Sequence, residues 1–116
     1  MNEKIHLKSL LSESDKLPEE QLELFALLNL GVLESLGNGL MSGTNAVRTF
    51  FHAENSLFVR QRLRDQDADE IMSRGVQLPD LFEILPAEEA QREFQRELAK
   101  MRSLCLTLLE RNLVVA

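Results

Sequence analysis

The chain has no tryptophan, no tyrosine, one cysteine and two histidines, and each scarcity closes off a class of protein. A single thiol, Cys105, forms no internal disulfide, which agrees with a reducing compartment. Two imidazoles and one thiol are too few for a zinc site of the usual kind. The longest uninterrupted apolar run is Leu24 to Leu28, far short of the roughly 18 residues a membrane span needs. Charged side chains recur from Lys4 to Glu23, so the opening stretch holds no uncharged signal-peptide core, and the expected location is cytoplasmic. Bases are also in short supply, 13 against 19 acids. The resulting net charge of −6 argues against a protein that coats nucleic acid and favours solubility or a basic partner.

What is present is the composition of a helical protein. Leu, Glu, Gln, Ala, Arg and Met are common, β-branched residues are scarce, and all six aromatics are Phe. With 116 residues, 44% of them apolar, the chain can build one hydrophobic core, so a single all-α domain over 1–116 is expected.

The strongest periodicity lies between Pro86 and Leu113. Ala90, Phe94, Leu98, Met101, Cys105, Leu108 and Asn112 follow at steps of three or four and stack on one helix face. Ala87, Phe94, Met101 and Leu108 are also seven apart, the spacing of a coiled-coil seam. At about 1.5 Å per residue such a helix is about 42 Å long, against roughly 35 Å for the diameter of a compact chain this size. A rod of that length calls for a neighbour, and a homodimer built on the long helices is expected.

Upstream, Leu17-Pro18-Glu19-Glu20 opens a helix, because proline at the first turn lacks only an amide that would be unpaired there, and the carboxylates meet the positive dipole end. It runs to Leu36 and is apolar nearly all round, as in a helix enclosed by others or shared with a second subunit. Gly37-Asn38-Gly39 stops it. Ser42 or Thr44 can cap the next segment, read as one helix from Thr44 to Arg64 with room for an irregularity at Glu54-Asn55-Ser56. A short helix is expected from Asp67, through the capping pattern Asp67-x-x-Glu70, to Arg74, where Gly75 ends it. Leu78-Pro79-Asp80 then opens another as far as Leu85. Each of the three prolines follows Leu and precedes an acid, so each reads as a helix start. Residues 2–12 form at best a weak amphipathic helix prone to fray, 12–16 a polar connector, and the apolar tail Leu113 to Ala116 reads first as a disordered end and alternatively as part of a subunit interface. The fold expected is an all-α bundle of about four to five helices, framed by 18–36, 44–64 and 86–113.

Charge is unevenly spread. Residues 65–85 hold six acids and one base, whereas 44–64 hold one acid and four bases. Within the basic stretch Arg60 and Arg64 stand one turn apart, and with Arg48 their forked guanidiniums could clamp phosphate or carboxylate. Pairing with Asp65, Asp67, Asp69 and Glu70 next door is the simpler use of them. His52 near Glu54 and Asn55 has the elements of a general base, but no nucleophile lies nearby, and following Phe50 and Phe51 it suits a packed or interface position. Glu3-x-x-His6 matches the spacing of carboxylate-bridged di-iron bundles, which need it twice; here it occurs once. The Gly37 to Gly43 loop lacks the Lys-Ser/Thr ending of a phosphate-binding loop. Cys105 lies on the buried stripe, where a thiol acts as a small hydrophobe. No catalytic, cofactor or metal site emerges. Candidate partner- or anion-binding positions are Arg48, His52, Arg60 and Arg64. The expected function is that of a small acidic protein-interaction or regulatory module, not an enzyme. The alternative is a nucleic-acid or phospholigand binder, which steep salt dependence would reveal.

Overall fold

The computed structural model describes residues 4–12 and 17–113. Glu3 of the Glu-x-x-His spacing, residues 13–16 of the connector, the Asn112 side chain and the 114–116 tail lie outside the described residues.

Among the described residues every regular element is helical and there is no strand, the all-α fold expected. A π-helical turn, Lys8–Ser12, precedes α1 (Pro18–Gly37), α2 (Gly43–Thr49), α3 (Ala53–Phe58) with a second π-helical turn (Val59–Leu63) continuing it, α4 (Gln66–Ile84) and α5 (Ala87–Leu113). Helix α1 starts where the sequence places it, with Pro18 in its first turn and Glu19 and Glu20 at the positive end of its dipole. It ends on a turn in which the amides of Gly39 and Leu40 donate to the carbonyls of Leu36 and Ser35. Gly39, at φ 73°, makes that reversal possible. The Ser42 hydroxyl caps α2 by accepting from the Asn45 amide at 3.1 Å.

Residues 44–64 are not one helix. The break falls at Phe50 to His52, earlier than the Glu54-Asn55-Ser56 irregularity, and the two phenylalanines explain it. Adjacent helical residues diverge by about 100°, so a regular helix cannot bury both rings on one face. Leaving helical geometry buries both fully. Phe50 stacks on Phe25 at 6.3 Å and meets Phe51 edge-on at 5.1 Å. His52 then caps α3 through its Nδ1, which accepts from the Asn55 amide.

The second correction concerns α4, a continuous helix where two short ones are expected. Asp65, not Asp67, is its N-cap, accepting from the Ala68 amide at 3.0 Å. Gly75 does not end it. That residue is buried against Phe51, and a Cβ built there would lie 2.5 Å from the ring's Cγ, so glycine is required by the close approach and not by a turn. Pro79 sits inside the helix, not at a start, and removes one backbone bond, the one to the Gly75 carbonyl. Packing outweighs that loss, since Ala68, Ile71, Met72, Gly75 and Leu78 form one buried face.

Helix α5 has the predicted boundaries to within a residue and the predicted stripe: Ala90, Phe94, Leu98, Met101, Cys105 and Leu108 are all buried. Two antiparallel neighbours cover it. Arg102 reaches Glu34 at 3.7 Å, and a Cβ on Gly37 would touch Leu98, so α1 runs beside the later part of α5 and stops opposite its middle. Arg74 bridges α4 to Glu97, and Arg111 ties the far end to Asp65 and Asp67. The frame is therefore α1, α4 and α5, with α2 and α3 laid across it, and not the 44–64 segment.

The molecule measures 45 × 31 × 22 Å, so the long helix lies along the long axis and finds its neighbours in its own chain. Nor is α1 enclosed all round; Phe25, Ala26, Asn29, Val32, Leu33 and Leu36 make one buried face while Leu27 is half exposed. The amino-terminal segment is better held than its spacing suggests. Leu7 and Leu11 are fully buried, and the Ile5 amide donates to the Thr49 carbonyl at 2.8 Å.

Candidate functional site

The four positions singled out in the sequence do not form one site. Arg48 lies on the last turn of α2, and Arg60 on the π-helical turn after α3. Arg64 follows with left-handed backbone, φ 50°, its Nε donating to the Gln61 carbonyl at 3.2 Å. Arg60 and Arg64 line a shallow cleft of about 200 Å³ whose other walls include Asp65 and Asp69. Arg60 reaches Asp69 at 3.7 Å across exposed surface. Two guanidiniums facing two carboxylates leave the cleft without net positive charge, which is poor chemistry for a phosphate. The other acids of the expected pairing are also engaged: Asp67 holds Arg111, and Glu70 holds Arg74 at 2.8 Å. The hydrogen bond that Arg74 donates to Glu70, then those it donates to Glu97, raise its guanidinium above the ordinary value despite partial burial.

His52 is nearly buried and spoken for at both nitrogens. With Nδ1 accepting from the Asn55 amide, Nε2 carries the proton and donates to the Ile5 carbonyl at 3.0 Å. Asn55 completes the arrangement. Its Nδ2 donates to the carbonyls of Ile5 and Phe50 at 2.9 and 2.8 Å, and its Oδ1 accepts from the Leu7 amide at 3.0 Å. These two side chains satisfy the backbone of the docked segment where α2 gives way to α3. His6 sits just outside, 3.3 Å from Glu54. Among the described residues no three His, Cys, Asp or Glu side chains are grouped to hold a metal ion.

The surface with most to offer a partner is elsewhere. Because α1 stops at Gly37 opposite Leu98, the first turns of α5 are covered by α4 alone, and a groove of about 520 Å³ opens between them and the α1–α2 loop. Leu36, Met41, Pro79, Phe82 and Phe94 supply apolar lining, and Ser42, Thr44, Gln91 and Gln95 contribute hydroxyls and amides. None of its lining residues is ionisable, in a chain with 28% charged residues. Phe82 continues the buried face of α4 one turn past Leu78 and packs edge-on to Phe94 at 5.3 Å, yet it is 47% exposed for want of a cover. Leu40, between the lining residues Gly39 and Met41, is 81% exposed, and Ile84, two residues past Phe82 and so on the opposite side of α4, is 77% exposed. Neither is on a loose strand: the Leu40 amide is bonded to Ser35, and Ile84 ends α4.

Comparison with protein-family models, curated proteins and solved structures gives no match.

The groove went unread in the sequence because Phe82 and Leu40 belong to segments taken for a short helix and a connector. A continuous α4 carries the signal: Ile71, Gly75, Leu78 and Phe82 recur at helical spacing, so Phe82 belongs to a core face that outruns the core. Asn29 was missed too. It is fully buried in α1, and neither its Nδ2 nor its Oδ1 has a partner among the described residues. Cys105 is as inert as its place on the stripe implies, since burial pushes its thiol up to about 12.

Proposed function

We propose that this protein is a non-catalytic helical interaction module that acts by docking another polypeptide at the open corner of α4, α5 and the α1–α2 loop. The observation that carries the reading is an uncharged groove with the half-exposed Phe82 ring in its wall and the exposed Leu40 between two of its lining residues, Gly39 and Met41. Large apolar side chains clustered in water mark binding surfaces more often than scattered ones do. The occupation of His52 is in keeping with the same reading: both of its nitrogens hold backbone groups, so this imidazole is not a free base for a substrate. The anion-binding alternative at Arg48, Arg60 and Arg64 has weaker support, because Asp65 and Asp69 share the cleft of the last two.

The test is affinity purification of tagged wild type and of the double variant Met41→Ser with Phe82→Ser from the native cell. A polypeptide retained by the wild type and lost by an equally stable variant is the expected result. Identical retention by both would overturn the reading.

A further inference from the structure

We propose that the polypeptide received by this groove is a second copy of the same chain, each copy seating its Leu40 in the groove of the other. The inference rests on the interaction reading above and adds the partner's identity. Charge is the first argument. Two chains of net charge −6 repel each other, so a self-complementary contact needs a surface free of acids, and the groove lining is free of all ionisable residues. A groove shaped for a basic partner would carry carboxylates in its walls. The hydroxyls and amides present, from Ser42 to Gln95, both donate and accept, so they can pair with their own copies across a two-fold axis.

The second argument is the placement of the knob. Leu40 lies between Gly39 and Met41, both of which line the groove, so an axis passing beside the loop brings each leucine over the opposite opening. The loop is also rigid before any contact forms. Amides of Asn38, Gly39 and Leu40 are bonded to carbonyls of Glu34, Leu36 and Ser35, fixing a leucine that is 81% exposed. A loop backbone held ready in this way adds little to the ordering cost of docking.

The full-length chain is measured by light scattering over a wide dilution series, alongside Leu40→Asp, a change at an exposed position that leaves the core untouched. A mass near twice the 13.2 kDa of one chain, falling toward one chain on dilution, is expected. Leu40→Asp should weaken pairing about tenfold or more, by the loss of one buried leucine per copy and the gain of facing acids, with an unchanged thermal midpoint at high dilution. A second readout uses the inert thiol. With Cys105 buried, mixed Leu40→Cys and Gln95→Cys chains should give a mixed disulfide under mild oxidation, and a Leu40→Cys with Arg102→Cys mixture should not. A single-chain mass at every concentration overturns the second-copy assignment while the interaction reading still stands on the purification test. A dimer unaffected by Leu40→Asp overturns the groove as its interface.

Discussion

Replacing Gly75 by Ala tests the packing of α4 against the α2–α3 junction, because two effects of opposite sign compete. In an unobstructed helix interior the substitution stabilises by about 0.5–1 kcal/mol, since Ala loses less backbone freedom than Gly on folding. Gly31 in α1 is such a site, with nothing within 4 Å of a built Cβ. At Gly75 the added carbon would lie 2.5 Å from Phe51 Cγ and 2.6 Å from Cε1, closer still to Cδ1. Carbon pairs prefer about 3.5–4.0 Å, so the ring or the helix must move by about 1 Å. Phe51 has little room to yield, being fully buried with Phe50 edge-on to it and Phe25 stacked behind. Overpacking of this kind costs about 1–3 kcal/mol and sometimes more, which exceeds the helix gain. The expected outcome in urea is a lower midpoint for Gly75→Ala and a higher one for Gly31→Ala, at unchanged slope. Adding Phe51→Leu to Gly75→Ala should recover part of the loss, with a coupling of about 0.5–3 kcal/mol. A midpoint raised by Gly75→Ala would refute the close approach of α4 to Phe51.

Asn29→Leu should stabilise the fold by about 1–3 kcal/mol in urea, because it removes two buried polar atoms that lack partners among the described residues; a lower midpoint would mean that the amide is hydrogen-bonded. Phe94→Ala should cost about 3–5 kcal/mol, since the ring is buried on the α5 stripe, and an unchanged midpoint would sink that assignment. The Cys105 thiol should ignore a disulfide reagent in native buffer and react fully in denaturant. Its raised value works against stability at high pH: the neutral thiol supports folding below the ordinary 9.0, and that support is lost as pH rises toward about 12, a decline that Cys105→Ala should lack. Replacing Arg60 and Arg64 together by Gln should leave both the midpoint and retention on a nucleic-acid column unchanged, exposed pairs being worth about 0–1 kcal/mol each; retention lost with the two arginines would favour the anion-binding alternative.

The parts of the fold legible in the sequence are those set by neighbours three or four residues away. The stripe from Ala90 to Leu108, the start at Pro18 and the stop at Gly37 depend on local geometry, and all three stand in the structure. What resisted reading depends on residues distant in the chain. Gly75 and Pro79 are breakers by local propensity, but the face from Ala68 to Leu78 overrides them, and the reason for Gly75 lies at Phe51. Histidine is an uncommon cap, so the break at Phe50 to His52 had no familiar marker. Of the candidate site residues, His52 proved to be packed, as its two preceding phenylalanines suggested. The groove depends on where α1 ends relative to α5, a relation between helices that no single segment encodes.

The side chains of His52 and Asn55 have a consequence for how the chain opens and closes. The amides of Ile5 and Leu7 are bonded to Thr49 and to Asn55, up to 48 residues away, and not to a local turn. In deuterium exchange, then, the first described residues should not fray independently; they should exchange together with the α2–α3 junction as one cooperative unit. The same tether closes a long loop, whose ordering entropy is met only once both ends are in place. Its contacts therefore belong to the late stages of folding, after α4 and α5, which are neighbours in sequence, have already paired.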